Sequence, residues 1–168
     1  MEEQRETPIT EVAEGPSIPA QPETKLEQHA DAVQEESAYG IKIRVDRPYD
    51  SVLASVREAL KEEGFGIIAE IDVRRTFKEK LAIEFPQYVI LGACNPRYAH
   101  LAMELDMDIG LLLPCNVVVY ERAGGTVVET IDPIAQLALA DSSDLRDLAI
   151  AVKQNLQDVI NRVAAGLV

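Results

Sequence analysis

The chain has 168 residues, of which 47% are hydrophobic, only two cysteines, and a formal net charge of −13 at pH 7. This length and apolar content suffice for one folded domain, whereas two cysteines are too few for a disulfide scaffold or a four-thiolate zinc site. The negative charge and the lack of a lysine and arginine cluster argue against nucleic acid as a partner, because phosphate neutralisation supplies most of that affinity.

The N-terminal part of the chain carries most of the negative charge. Residues 1–36 hold ten carboxylates and two basic residues, Arg5 and Lys25. The net charge of this segment is therefore −8, and the remaining residues have a net charge of −5. Such a segment buries too little apolar surface to offset its ordering entropy. We therefore predict a disordered acidic tail over 1–37 and one domain over 38–168. Since the sequence contains neither a signal peptide pattern nor an 18-residue apolar stretch, we expect a cytoplasmic protein without membrane association.

Alternating apolar and charged residues predict the first strand over 39–45. Asp46 and Pro48 suit a helix start, and the apolar repeat that follows ends at Gly64, a residue typical of a left-handed helix stop. Further along the chain, the pattern predicts a strand over 66–71, a short helix over 76–83 with a capping box, and an apolar strand over 87–93.

Asn95 as N-cap and Pro96 in the first turn predict a helix that ends near Leu105. Two apolar strands separated by Ala123-Gly124-Gly125 predict a hairpin. From Asp141 onward, apolar residues recur at alternating steps of three and four, which predicts a long amphipathic helix. This order indicates a two-layer α+β fold with one mostly antiparallel sheet of about five strands, helices on one face and a long C-terminal helix. A doubly wound parallel sheet is the alternative, but no glycine-rich loop joins a strand to a helix.

Cys94 lies at the end of a predicted strand, directly before the helix that Asn95 caps. The unpaired N–H groups and the positive end of the helix dipole favour a thiolate and also suit a bound anion, so we expect a lowered thiol pKa. The alternative is a small buried side chain that fills the corner between strand and helix. Cys115 follows a proline and has no helix beside it, which favours the buried interpretation.

The two thiols could act together if the fold brings their Cα atoms within about 7 Å. His100 points away from the predicted cap and is poorly placed as a base for Cys94. Metal sites that combine the thiols with His100, or with Asp106 and Asp108, match no zinc spacing, so we predict no metal site. Lys80 lies on the charged face of the short helix, from which it could reach an anion.

Several motifs resemble those of the bacterial and archaeal domain-of-unknown-function family 302. They are IDV-x-x-TFKEKL, GACNP-x-x-A, IGLLLPCNVVVYE and the Asp132-Pro133 pair, and the resemblance covers about residues 38–166. It implies a compact α+β domain that forms a homodimer, and it implies no established reaction. The residues that match its CNP, PCN and KEK motifs are Cys94, Asn95, Pro96, Pro114, Cys115, Asn116 and Lys80.

Three hypotheses follow, and they leave open whether the protein is an enzyme. The first is a small dimeric binding module whose pocket lies where the CNP helix start meets the PCN strand; its ligand would be a small anion, a sulfur species or a metal-bearing cofactor. The candidate ligand-binding residues are Cys94, Asn95, Cys115, Asn116 and Lys80.

The second hypothesis is a thiol-dependent enzyme or sulfur carrier, with Cys94 as nucleophile and Cys115 as resolving thiol. The third is a structural or interaction protein in which the cysteines belong to the core and the long helix places Val159 and Val163, with Leu167 and Val168 beyond it, in a dimer seam.

Overall fold

A computed structural model of the chain describes residues 32–140 and 142–168. Six antiparallel strands form one sheet in the order β1-β2-β6-β5-β4-β3. The strands are β1 Ala32–Glu36, β2 Gly40–Val45, β3 Gly66–Asp72, β4 Tyr88–Cys94, β5 Cys115–Arg122 and β6 Gly125–Ile131. β5 and β6 form the predicted glycine hairpin, and the predicted α+β class with a mostly antiparallel sheet is confirmed.

The described residues also contain five α-helices and two short 3-10 helices. The α-helices are α1 Tyr49–Glu62, α2 Val73–Leu81, α3 Pro96–Leu105, α4 Pro133–Leu137 and α5 Ser143–Ala165. The 3-10 helices cover Met107–Leu112 and Ala138–Ala140. Within the described part of the chain, none of the helices has the length and apolarity needed to cross a membrane.

The main core lies between one face of the sheet and the helices α1 and α5. Alternate residues of the strands point into it, including Leu91, Val117 and Val119, which are fully buried. Val159 and Val163 on α5 are also fully buried in this core. Val159 and Val163 therefore do not lie in a dimer seam as predicted, because they complete the core of their own domain.

The sheet has one strand more than predicted. β1 pairs with β2 along its whole length, and it occupies residues that the sequence assigned to the disordered tail over 1–37. The physical reason is that an edge strand is held by backbone hydrogen bonds, which do not require the apolar alternation that sequence patterns detect. The remainder of the predicted tail, residues 1–31, lies outside the described residues.

The short helix α2 starts earlier than the predicted capping box. Asp72 is its N-cap and accepts a hydrogen bond from the Arg75 backbone N–H at 2.8 Å. The Thr76 hydroxyl donates instead to the backbone carbonyl of Asp72 at 2.7 Å. Aspartate is as good a cap as threonine, and here it lies at the point where β3 ends, which decides where α2 begins.

Candidate functional site

The two cysteines lie side by side at one end of the sheet. Ala93 pairs directly with Cys115 across β4 and β5, so Cys94 is the next residue along β4. Both are free thiols, and both line one cavity of about 30 Å³. This volume is enough for a water molecule or a ligand of similar size.

The cavity lies where two hydrophobic clusters meet. Phe65, Val152 and Cys115 belong to the main core, whereas Ala102 and Leu137 belong to a second cluster between α3, α4 and the first turns of α5. The remaining lining residues come from β4, α3 and its N-cap, the segment before β5, α4 and α5: Ala93, Cys94, Asn95, Tyr98, Ala99, Leu113, Pro114, Pro133, Gln136 and Leu148. Because most of these side chains are apolar, the cavity favours a neutral ligand over a charged one.

Asn95 caps α3 as the sequence predicted. Its side-chain oxygen accepts a hydrogen bond from the Arg97 N–H at 3.1 Å, and the Asn95 carbonyl accepts from Ala99 at 3.0 Å. The asparagine therefore uses an N–H group that the sequence interpretation assigned to a Cys94 thiolate. Its side chain also lines the cavity, so one residue both starts the helix and borders the thiols.

Both thiols are held in their protonated form. Burial raises the pKa of Cys94 above its ordinary value, and burial, with a smaller effect of the neighbouring Cys94, raises the pKa of Cys115 to about 11. The expectation of a lowered pKa at Cys94 is thus wrong. The cost of removing the thiolate from water outweighs the benefit of the helix start, whose N–H is already occupied by Asn95.

Gln136 is a site residue that the sequence interpretation missed. The Cys115 thiol donates to its side-chain oxygen at 3.7 Å, and its amide N–H₂ donates to the backbone carbonyl of Leu112. Gln136 thereby connects the thiol to the segment that leads into β5. A signal was present in the sequence, because Asp132-Pro133 is a helix-start pair that places residue 136 one turn into the helix.

Asp132 fixes the helix that carries Gln136. Its carboxylate accepts from the Ile134 N–H at 2.9 Å and forms an ion pair of 2.7 Å with Lys153 on α5. The Gln136 N–H donates to the Asp132 carbonyl at 2.9 Å, which closes the first turn of α4. α4 is therefore attached at its start to the long helix, and the amide of Gln136 is held over Cys115.

Two of the predicted ligand residues do not join this site. Asn116 is exposed and lines a groove on the opposite face of the sheet, because successive residues of a strand point to opposite sides. Lys80 is exposed on α2, which follows the end of β3 that pairs with Val89, whereas Cys94 pairs with the other end at Gly66. The whole length of β3 separates the two positions.

His100 is exposed and turned to Glu104, so its position does not suit a base for the thiols. Its side chain is 73% exposed and lies 3.5 Å from the Glu104 carboxylate, one turn along α3. Among residues 32–140 and 142–168, no three histidine, cysteine, aspartate or glutamate side chains converge to hold a metal ion. The polar residues that line the cavity are thus the two cysteines, the amides Asn95 and Gln136, and Tyr98.

Comparison with known proteins agrees with this fold. The chain is similar to an uncharacterised conserved DUF302 protein from Bacillus stearothermophilus, whose crystal structure superposes with a TM-score of 0.71 at 26% identity, covering 76% of this chain and 99% of that one. No curated protein matches the chain. Residues 41–163 match the model of the family described as domain of unknown function DUF302. Since that match spans most of the chain, the protein belongs to the DUF302 family.

Proposed function

We propose that the protein is a binding module that holds a small neutral sulfur species, of the size of hydrogen sulfide, between Cys94 and Cys115. The observation that carries this proposal is that both free thiols line the same small apolar cavity. Neutral thiols are soft, polarisable groups that both donate and accept weak hydrogen bonds, which matches them to a ligand of the same chemistry.

Of the three ligand classes that the sequence left open, the cavity favours the sulfur species. An anion would lose its hydration among these apolar side chains, and none of the residues that line the cavity carries a positive charge. A metal ion would require thiolates, and burial raises the pKa of both thiols. A neutral sulfur compound needs neither a positive partner nor a thiolate, and it fits a cavity of about 30 Å³.

Sulfide should stabilise the wild-type protein against heat. At about pH 6, where sulfide is largely protonated, a concentration ten times the Kd is expected to add about 1.4 kcal/mol and to raise Tm by several degrees. Replacing either thiol, as Cys94→Ala or Cys115→Ala, removes a soft contact, so the rise should disappear. The measurement is differential scanning fluorimetry under anaerobic conditions, across a sulfide titration.

Lys80→Ala serves as the control, because Lys80 is exposed and remote from the cavity. This variant should keep the full sulfide response. An unchanged Tm in the wild-type protein throughout the titration, or an equal rise in Cys94→Ala and Cys115→Ala, would contradict the proposed ligand. Intact mass is recorded on separate samples after incubation with a polysulfide, whose sulfane sulfur can be transferred to a thiol, and a persulfide on Cys94 would instead favour the thiol-dependent enzyme or sulfur carrier.

That second candidate function is favoured by one observation, the juxtaposition of two free thiols on adjacent strands. A peroxide would oxidise the Cys94 thiol to a sulfenic acid, and attack by the Cys115 thiol would then form the disulfide bond and release water. It is less well supported than binding because the raised pKa of both thiols slows nucleophilic attack. The free thiols also support a reducing compartment, and we propose the cytoplasm.

We also propose that the protein forms a homodimer through α2 and the edge strand β3. α2 is amphipathic but contains no buried residue, and four large apolar side chains on and beside these two elements are about half exposed or more. They are Ile68, Ile71, Leu81 and Ile83. An exposed apolar surface of this kind supports a protein partner.

A charge in this surface should dissociate the dimer. Leu81→Glu is expected to change the mass measured by multi-angle light scattering at micromolar concentration from two chains to one, because a carboxylate would be buried without a partner. Leu111→Glu is the matched control, since Leu111 is 88% exposed on a 3-10 helix outside this surface. A wild-type mass of one chain would refute the dimer, and an unchanged mass in Leu81→Glu would exclude this interface.

A further inference from the structure

The side-chain amide of Gln136 has one orientation that satisfies both of its neighbours. Its nitrogen Nε2 donates to the backbone carbonyl of Leu112, and its oxygen Oε1 lies 3.7 Å from Sγ of Cys115. A carbonyl oxygen can only accept a hydrogen bond, so the end of the amide beside Leu112 has to be the N–H₂ group. The oxygen end of Gln136 therefore faces the Cys115 sulfur.

This amide oxygen decides where the proton of the Cys115 thiol points. An amide oxygen only accepts, whereas a thiol has a single proton and otherwise acts as a weak acceptor. In the contact with Gln136 the thiol must be the donor, so its proton is directed at Oε1. Cys115 is only 8% exposed, and bulk water competes little for that proton. The sulfur can accept a hydrogen bond from a ligand in the cavity, but it has no proton left to donate to one.

The surroundings of Gln136 resist a reversal of the amide. A half turn about the last side-chain bond would bring Oε1 against the carbonyl oxygen of Leu112, and two acceptors at hydrogen-bond distance repel each other. The backbone of Gln136 is also held, because its N–H donates to the Asp132 carbonyl at 2.9 Å and Asp132 is paired with Lys153 on α5. The direction of the Cys115 proton is thus fixed by a residue on another element.

The second thiol of the cavity is not restricted in this way. Among the described residues, none forms a hydrogen bond with the Cys94 thiol, so its proton can turn toward a ligand. The oxygen of Asn95 is already used by the Arg97 N–H at 3.1 Å, and Tyr98 packs against the main core. The two thiols are therefore different partners for a ligand, since Cys94 can donate and Cys115 can only accept.

We propose that Gln136 is a positioning residue that selects the ligand, because it turns the Cys115 proton out of the cavity and leaves a site for sulfur compounds that carry an S–H group. This inference rests on the proposed sulfide-binding function and specifies the ligand class of the same site. Hydrogen sulfide can donate one S–H to Cys115 and accept from Cys94. Carbonyl sulfide contains no hydrogen atom, so its lone pairs would face those of the Cys115 sulfur.

Infrared spectroscopy tests the orientation of the thiol without any ligand. The S–H stretching band lies in a region where other protein groups do not absorb, and its frequency falls when the thiol donates a hydrogen bond. The wild-type protein should show two bands, of which Cys115→Ala removes the lower and Cys94→Ala the higher. Gln136→Met has a side chain of similar length without the amide, and it should move the Cys115 band to higher frequency.

Titrations with the two gases test the selection. Affinities of the full chain for hydrogen sulfide and carbonyl sulfide are measured by heteronuclear NMR, at the pH of the sulfide titration above. In Gln136→Met the Cys115 proton can turn into the cavity, so the affinity for carbonyl sulfide should rise about threefold, near the low end for one hydrogen bond because sulfur is a weak partner. The affinity for hydrogen sulfide should stay within about twofold, since this ligand can both donate and accept.

Two comparisons separate selection from structural support. A variant that only loosened the cavity would lower both affinities, whereas the expected result is a gain for one ligand. Tyr98→Phe is the matched control inside the cavity, because it keeps the aromatic ring and removes the hydroxyl. This variant should change neither affinity.

Three results would overturn the inference. The first is a Cys115 band that coincides with the Cys94 band in the wild-type protein, or that stays in place in a Gln136→Met variant shown to be folded by circular dichroism. The second is a loss of both affinities in Gln136→Met, and the third is a loss of hydrogen sulfide binding in Tyr98→Phe. A wild-type protein that shows the low Cys115 band but binds neither gas would instead refute the proposed sulfide site and confirm the orientation of the thiol.

Discussion

Between about pH 8 and pH 12 the wild-type protein is expected to lose about 3 kcal/mol of unfolding free energy that the Cys115→Ala variant retains. The cause is the burial that raises the pKa of Cys115 from its ordinary 9.0 to about 11. Below about pH 8 the thiol is protonated in both states and the stability is fully present. As the pH rises further, the unfolded state loses the proton first, and two pKa units at about 1.4 kcal/mol each set the size of the loss.

Urea unfolding at about pH 8 and about pH 11, followed by circular dichroism, measures this effect. Comparing the two proteins at each pH removes the contributions of other groups, such as Tyr49, whose pKa burial raises to about 12. Cys94→Ala is a useful comparison, because Cys94 is the less buried thiol and the variant should keep most of the loss. Parallel pH curves for the wild-type protein and Cys115→Ala would show that the Cys115 thiol ionises as easily in the folded protein as in the unfolded chain.

Gly92→Ala is expected to destabilise the protein by about 1–3 kcal/mol, the usual cost of overpacking. A Cβ atom at this position would lie 2.8 Å from Cγ of Pro114 and 3.2 Å from Cβ of Ala69. Pro114 directly precedes Cys115, so relief of the contact would move the residue that leads into the thiol site. The variant should therefore also increase the rate at which Cys115 reacts with a thiol reagent.

Gly66→Ala provides the matched control for this prediction. Gly66 is the β3 residue paired with Cys94, and the nearest atom to a Cβ placed there is the Cys94 carbonyl oxygen at 3.8 Å, an ordinary contact. Neither glycine has a positive φ, so the two variants differ in the available space. Gly66→Ala should change the unfolding free energy by about 0.5 kcal/mol or less. Equal stability of the two variants in urea would show that Pro114 does not press on Gly92.

The candidate site shows which features local sequence patterns predict and which they do not. Asn95 followed by Pro96 predicted the helix start after Cys94 correctly, because capping depends on a few adjacent residues. The same pattern gave the wrong direction for the Cys94 pKa, which depends on how deeply neighbouring elements bury the thiol. Gln136 was missed since it lies 21 residues from Cys115 and meets it only through the docking of α4.

The amino-acid sequence by itself determined most of the elements of this protein: five of the six strands, the glycine hairpin, the helix start at Asn95 and the family motifs all follow from spacing between near neighbours. Tertiary structure decided the rest. The pairing of β4 with β5 put the two thiols beside one cavity, the pleat of β5 turned Asn116 to the other face, and β1 joined the sheet through backbone hydrogen bonds. These outcomes depend on contacts between distant segments. A local pattern does not encode the register in which two strands pair or how far a side chain is removed from water.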